Sequence, residues 1–236
     1  MKVRIKFSKQ GPVKFIGHLD VMRYFQKAMR RAEIDIKYSE GFSPHQIMSF
    51  AAPLGVGLTS LGEYMDIEVN SMDDCQTMTD RLNDVMAEGI HIISCHKLTD
   101  QAKNGMALVA AADYTLTFRE GKEPEDTAAF YKGLADFYSQ DHIVILKKTK
   151  KGEREVDLKP LIYELRAEND RIFMKLSTGS TDNLKPELVM EAYDNWRGSK
   201  CPDFAFQVQR EEVYGNVGSE EEKELIPLAH IGEEVE

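Results

Sequence analysis

Basic side chains recur at helical spacing between residues 18 and 33, and they could bind the phosphate groups of a nucleic acid. Because a helix turns by about 100° per residue, four of them fall within one arc opposite an apolar face: Arg23, Lys27, Arg30 and Arg31. Such a stripe matches the repeated negative charge of a phosphate backbone, and arginine can hold a phosphate through two hydrogen bonds. The alternative is an ordinary solvated helix face, since every amphipathic helix exposes charged residues.

His18, Asp20 and His45 are the candidates for acid–base chemistry. His18 follows Gly17 at the predicted start of the helix, where the positive end of the helix dipole favours a neutral imidazole that could act as a base. Asp20 lies at the same end, and His45 lies in the loop after the helix. No motif pairs either histidine with a nucleophile, so a capping or structural role is the alternative interpretation.

The segment YSEGFSPHQ, which follows the helix, combines aromatic and polar side chains in a predicted loop. Gly41 permits an unusual backbone angle, and the Ser43-Pro44 pair favours a rigid bend. Aromatic rings beside basic groups hold unpaired bases in RNA-binding proteins, although Tyr38 and Phe42 could instead cover the edge of the core. We therefore predict a nucleic-acid-binding surface that joins the four basic residues to the following loop residues: Tyr38, Phe42, Ser43 and His45.

The elements that must position these residues predict an α+β fold. Strands are predicted over residues 2–9, 46–51, 63–70 and 90–98, and helices over 18–33 and 73–88, from periods of two and 3.6 residues. This βαββαβ order is typical of ferredoxin-like folds. The same order recurs in the second half, with the segments IYELRAEN and RIFMKLS as an inserted β-hairpin. We predict two ferredoxin-like domains in tandem, over 1–99 and 106–215, and an acidic flexible tail over 216–236.

The charge of the chain is distributed unevenly. Residues 1–50 carry ten Lys and Arg against four Asp and Glu, whereas the whole chain has a net charge of −10. A basic N-terminal part on an acidic body suggests that the first fifty residues face an anion. A second basic cluster falls on a predicted hairpin in the second half: Lys147, Lys148, Lys150, Lys151 and Arg154.

The composition excludes several classes of protein. Three cysteines at wide spacing, Cys75, Cys95 and Cys201, suggest neither a disulfide framework nor a metal site. The N-terminus lacks the apolar core of a secretory signal, and no apolar run approaches the length of a membrane span. The glycines of APLGVGLTSLGE do not have the spacing of a dinucleotide or phosphate-binding loop. We expect a cytoplasmic protein with no cofactor, no bound metal and no membrane partner.

Two segments resemble a known family. KFIGHLDVMRYFQKAMRRAEI and YSEGFSPHQIMSFAAPLGVGLTSLGEYMDIEV are similar to the radical SAM-linked protein family, an uncharacterised bacterial domain that occurs alone or fused to the C-terminus of cobalamin-binding radical SAM proteins. The resemblance covers residues 3–69 and implies association with a radical SAM enzyme, in a setting of RNA processing and the ribosome. It supplies no catalytic residue. The chain lacks CxxxCxxC, so it cannot hold the usual radical SAM cluster.

Three functions follow as hypotheses. The first is a non-catalytic accessory protein that binds or positions an RNA for a radical SAM partner, which could itself bind cobalamin. The second is an RNA-processing or RNA-modifying enzyme that uses His18, by analogy with other tandem ferredoxin-like proteins. The third is a protein–protein adaptor that involves no nucleic acid.

Overall fold

The computed structural model describes residues 1–149, 152–180, 182–219 and 221–233. It has a mixed α+β fold, which confirms the predicted class. The chain divides into two compact units, one formed by Met1–Ala111 with Arg210–Glu236 and the other by Ala112–Gln209. These boundaries differ from the predicted 1–99 and 106–215. The reason is that the chain leaves and re-enters the first unit within strands, so the polar stretch near residue 100 is not the linker that its composition suggested.

The first unit follows the predicted βαββαβ order. Its elements are β1 (Lys2–Lys9), α1 (His18–Arg31), β2 (Met48–Phe50), β3 (Thr59–Glu68), α2 (Cys75–Asn83) and β4 (Ile90–Leu98). The sheet order is β4-β1-β3, with antiparallel pairing of β1 to both neighbours. On the other edge of β3, β2 pairs with residues 65–67. A single helical turn, α3 (Gly105–Leu108), follows β4.

One apolar cluster holds this unit together. Val3, Ile5 and Phe7 of β1 are buried as the alternation predicts, against Phe25 and Met29 of α1. The opposite face of β1 is also covered at Arg4, which is completely buried, and Lys9 at the end of the strand is 3% exposed. A strand in the interior of a sheet can be covered on both faces, and alternation alone does not reveal this.

The second unit is built from the remaining strands and two helices. Its elements are β5 (Val109–Phe118), α4 (Thr127–Tyr138), β6 (Val144–Thr149), β7 (Gly152–Asp157), β8 (Ile162–Glu168), β9 (Arg171–Ser177), α5 (Pro186–Arg197) and β10 (Phe206–Asn216). The first residues of β5 and the last of β10 belong to the first unit. The strand order is β10-β5-β9-β8, and α4 and α5 pack through Phe130, Phe137 and Tyr193.

The extra hairpin of the second unit differs from the predicted one. The segments around the Asn169-Asp170 turn form β8 and β9, which belong to the main sheet. The pair that stands apart is β6 and β7, which form their own two-stranded sheet. The charged sequences of β6 and β7 explain why this pair, and not β8 and β9, stands apart from the main sheet, because burying them on a sheet would require partners for many charges.

The C-terminal segment is folded onto the first unit over most of its described length. β11 (Leu225–Pro227) pairs with Tyr214–Asn216 of β10, and a helical turn at Leu228–His230 follows with Leu228 buried. Thr99 donates a hydrogen bond to the carbonyl of Gly232. The description of 216–236 as a flexible tail therefore does not hold for 225–233. Glu220 and residues 234–236 lie outside the described residues.

Candidate nucleic-acid interface

Helix α1 presents the predicted basic stripe because its apolar residues are spaced to face the sheet. Its buried positions are Val21, Phe25, Ala28 and Met29. The helix has no side-chain cap at Gly17, and its C-terminal turn contains Arg30 and Arg31, which complement the helix dipole. The opposite face is exposed and carries the four predicted basic residues: Arg23, Lys27, Arg30 and Arg31.

The four basic residues differ in how far neighbouring groups engage them. Arg23 forms an exposed ion pair with Asp20 at 3.3 Å. Arg31 donates to the carbonyl of Val85 at 3.1 Å, and its guanidinium lies 5.7 Å from the ring centre of Tyr24. The side chains of Lys27 and Arg30 form no hydrogen bond or ion pair within the part of the chain that the structure describes. These two side chains are therefore the most available to a phosphate.

The loop after α1, residues 39–45, is closed by hydrogen bonds between its ends. Ser39 N–H donates to the carbonyl of His45 at 2.8 Å, and His45 N–H donates to Ser39 Oγ at 3.1 Å. The imidazole Nδ1 of His45 lies 2.9 Å from the same Oγ. Gly41 has φ +107°, a conformation that favours glycine. The geometry fixes the loop and leaves the His45 side chain exposed.

Both aromatic rings of the predicted interface face solvent. Phe42 is fully exposed at the tip of the loop, beside exposed Ser43, and Tyr38 is 47% exposed. Phe42 therefore does not cover the core edge, which was the alternative interpretation, whereas about half of Tyr38 is covered. Single exposed apolar side chains are normal on protein surfaces, so the exposure of these rings makes them available for stacking and indicates no partner by itself.

Gln46 connects the loop to the basic helix, and no sequence pattern singles it out. Its amide Nε2 donates to the carbonyl of Gln26 at 3.2 Å and lies 3.4 Å from the Tyr38 hydroxyl. Gln26 directly precedes Lys27 on α1. Tyr38 is therefore held beside the turn of α1 that carries Lys27 and Arg30. Sequence spacing alone could not have identified the hydrogen bond between Gln46 and Gln26, because these residues lie 20 positions apart.

The structure does not assemble the proposed acid–base group. His18 is half-buried, with its ring packed edge-on against Phe50 at 5.2 Å between centroids. Asp20 is exposed and pairs with Arg23, whereas His45 is bonded within its own loop. Within the described residues no hydrogen bond joins His18, Asp20 and His45. His18 instead lines a small cavity with Lys9 and Glu63.

The second basic cluster cannot be placed against this surface. Lys150 and Lys151 lie outside the described residues, and Arg154 is exposed on β7 of the second unit. Within the described ranges, no three His, Cys, Asp or Glu side chains come together as metal ligands. The same ranges contain no helix long and apolar enough to cross a membrane.

The sequence of the chain matches one family model. The family is described as "Uncharacterized protein conserved in bacteria (DUF2344)", and the match covers residues 2–186. This range includes α1, the 39–45 loop and most of the second unit. No curated protein matches the chain.

Proposed function

The chain belongs to this bacterial family, and we propose that it is a cytoplasmic, non-catalytic accessory protein that binds or positions an RNA for a radical SAM enzyme. The observation that carries the RNA part is the exposed face of α1, where Lys27 and Arg30 stand without partners among the described residues. The resemblance of residues 3–69 to radical SAM-linked proteins is the basis for the enzyme partner.

The proposed interface has the two components that single-stranded RNA requires. Lys27 and Arg30, one turn apart on the outer face of α1, would contact successive phosphates. Tyr38 and Phe42 would stack on bases, since aromatic stacking tolerates any base. Gln46 holds Tyr38 beside α1 and so keeps the stacking and phosphate groups in one place.

We also propose that each unit is a ferredoxin-like fold. In the first unit the strands run β4-β1-β3-β2, and in the second β10-β5-β9-β8. When the four strands of each βαββαβ unit are numbered in chain order, both units have the strand order 4-1-3-2. The hairpin β6–β7 would then be the insertion in the second unit.

The RNA proposal is tested by fluorescence anisotropy with a labelled single-stranded RNA over a range of salt concentrations. Each phosphate contact to a single strand contributes about 0.7 to the slope of log affinity against log salt. The double substitution Lys27→Gln with Arg30→Gln should therefore weaken binding and lower the slope by about 1.4. A matched control is Lys132→Gln with Arg171→Gln, which removes one lysine and one arginine from exposed positions of the second unit.

The stacking component is tested separately. Phe42→Ala should cost about 1–3 kcal/mol of binding free energy if a base stacks on the ring. Phe204→Ala is the control, because Phe204 is 86% exposed in the second unit. Equal effects of the test and control substitutions, or a salt slope near zero for the unmodified protein, would contradict the RNA proposal.

The partner is tested by purification of the tagged chain from a bacterium that encodes it, with nuclease treatment before elution. A co-purifying protein that contains CxxxCxxC supports the radical SAM partner. If the two proteins separate after nuclease treatment, RNA bridges them. If no such protein is recovered with or without nuclease, the partner part of the proposal is wrong.

A further inference from the structure

A cluster of buried charges lies next to a small cavity at the start of α1, and the RNA interface does not use it. Lys9, Glu63 and Arg210 are only 3%, 5% and 3% exposed. Lys9 and Glu63 line the cavity together with His18, and Phe7 and Phe50 provide apolar walls. All of these residues belong to the first unit.

Arg210 already neutralises Glu63. Its Nε and Nη2 donate to Glu63 Oε1 at 2.9 and 2.5 Å, and Nη2 also reaches Oε2 at 2.6 Å. The same guanidinium donates to the carbonyl of Ala52. Both carboxylate oxygens are therefore engaged, and Glu63, which lines the cavity, forms a neutral pair with Arg210.

Lys9 adds a second buried cation that this pair does not balance. Its Nζ donates to the carbonyl of Ile16 at 2.8 Å, which leaves further donor capacity on the ammonium group. Burial lowers the pKa of Lys9; Glu63 acts in the opposite direction and Arg210 in the same direction. A buried ammonium without a balancing charge is costly, so the site favours either loss of the proton or the arrival of an anion.

The cavity limits what could enter. Its volume is about 10 Å³, which is room for about one water molecule or one oxygen atom. It runs from buried Lys9 to half-buried His18 and exposed Pro53, so a group can approach from the surface. A larger molecule can insert a single oxygen while the rest of it stays outside.

We propose that this cavity binds one oxygen of a small oxyanion, a carboxylate or a phosphate, between the ammonium group of Lys9 and the ring of His18. The bound oxygen supplies the missing negative charge, and His18 donates a ring N–H to it from the cavity mouth. The site shares no residue with the proposed RNA interface, so RNA binding and oxyanion binding can fail separately.

The test is the thermal stability of the full chain in sodium formate, acetate or phosphate, compared with chloride at the same ionic strength. At a concentration ten times the Kd, a ligand of the native state shifts the folding equilibrium about tenfold toward the native form. Phosphate stabilises many proteins by exclusion from their surface. The decisive quantity is therefore the difference between unmodified protein and variants.

Lys9→Met removes the ammonium group and should abolish the response to the oxyanions. Lys132→Met, at an exposed position of the second unit, should retain it. His18→Gln should weaken the response, and it is the second variant if Lys9→Met does not fold, because His18 is half-buried and its loss is tolerated more easily. A larger response to formate and acetate identifies a carboxylate ligand, and a larger response to phosphate identifies a phosphoryl group. Equal responses in unmodified protein and in the Lys9 or His18 variant would overturn the proposal, as would no response beyond that to chloride.

Discussion

Arg4 is the strongest single test of how the first unit is held together. Its side chain is fully buried in β1 and forms a two-pronged pair with Asp66 of β3, with Nε–Oδ1 at 2.8 Å and Nη2–Oδ2 at 2.9 Å. Its Nη1 also donates to the carbonyls of Leu228 and Ile231, both at 2.9 Å, and Nη2 donates to the carbonyl of Lys103 at 3.2 Å. One guanidinium therefore joins β1 and β3 to the C-terminal segment.

Arg4→Met keeps a long apolar side chain but removes all of these donors. The carboxylate of Asp66 would retain only the hydrogen bond from Gly105 N–H among those the structure describes. The carbonyls of Leu228, Ile231 and Lys103 would each lose a donor. Removing one member of a buried ion pair costs about 3–5 kcal/mol. The free energy of unfolding of a domain is about 5–15 kcal/mol, so this loss is a large fraction of it.

The assay is urea unfolding, combined with hydrogen exchange of the amides in residues 225–233. We expect the unfolding free energy to fall by about 3–5 kcal/mol and these amides to exchange faster than in the unmodified protein. Lys200→Met is the control, because Lys200 and Asp203 form a pair in which both side chains are 81% exposed; its effect should stay within about 0.5 kcal/mol. A loss below about 1 kcal/mol for Arg4→Met, or unchanged exchange in 225–233, would refute the reasoning.

Two further predictions follow from pKa shifts. The hydrogen bond and charge of Asp157 raise the pKa of His142, and His142 lowers the pKa of Asp157. The stability that a raised histidine pKa contributes is complete below the unfolded pKa of about 6.5 and is lost as pH rises through the folded pKa. Asp157→Asn should lower the pKa of His142, which an NMR titration measures. An unchanged pKa of His142 would contradict the pairing. Burial raises the pKa of Cys95 to about 12, so the thiolate fraction of Cys95 in the native protein is about a thousandfold below that of an ordinary thiol. Iodoacetamide should therefore label Cys95 only after unfolding. Rapid labelling of Cys95 in the native protein would count against its burial.

The basic face of α1 could be predicted from the sequence because helical periodicity is a local property. Phe25 and Met29 lie four residues apart and face the core, which places Lys27 and Arg30 on the other side whatever the rest of the fold does. The engagement of Arg31 by Val85 could not be predicted, because it joins residues 54 positions apart. Periodicity therefore identifies a face, and tertiary contacts decide which of its charges stay available.

The buried charges of β1 show the opposite case. Arg4 alternates with apolar residues as a solvent-facing position would, and Lys9 is a charged residue at the end of the strand, yet both lie inside the first unit. The partners that make this burial possible, Asp66 for Arg4 and the Glu63–Arg210 pair near Lys9, are distant in sequence. The oxyanion site proposed here was hidden from the sequence for the same reason: each of its residues has an ordinary interpretation when it is considered alone.

The net charge of −10 does not by itself argue against RNA binding. Interactions between exposed charges are screened beyond about 8 Å at physiological ionic strength, so a phosphate at Lys27 responds mainly to its immediate neighbours. On α1 itself the exposed carboxylate of Asp20 is already paired with Arg23. At low salt the screening length grows, and the acidic remainder of the chain then repels the RNA as a whole. Affinity should therefore rise less steeply at the lowest salt concentrations than the number of phosphate contacts predicts. The phosphate contacts of Lys27 and Arg30 are therefore counted from the slope of log affinity against log salt near physiological salt.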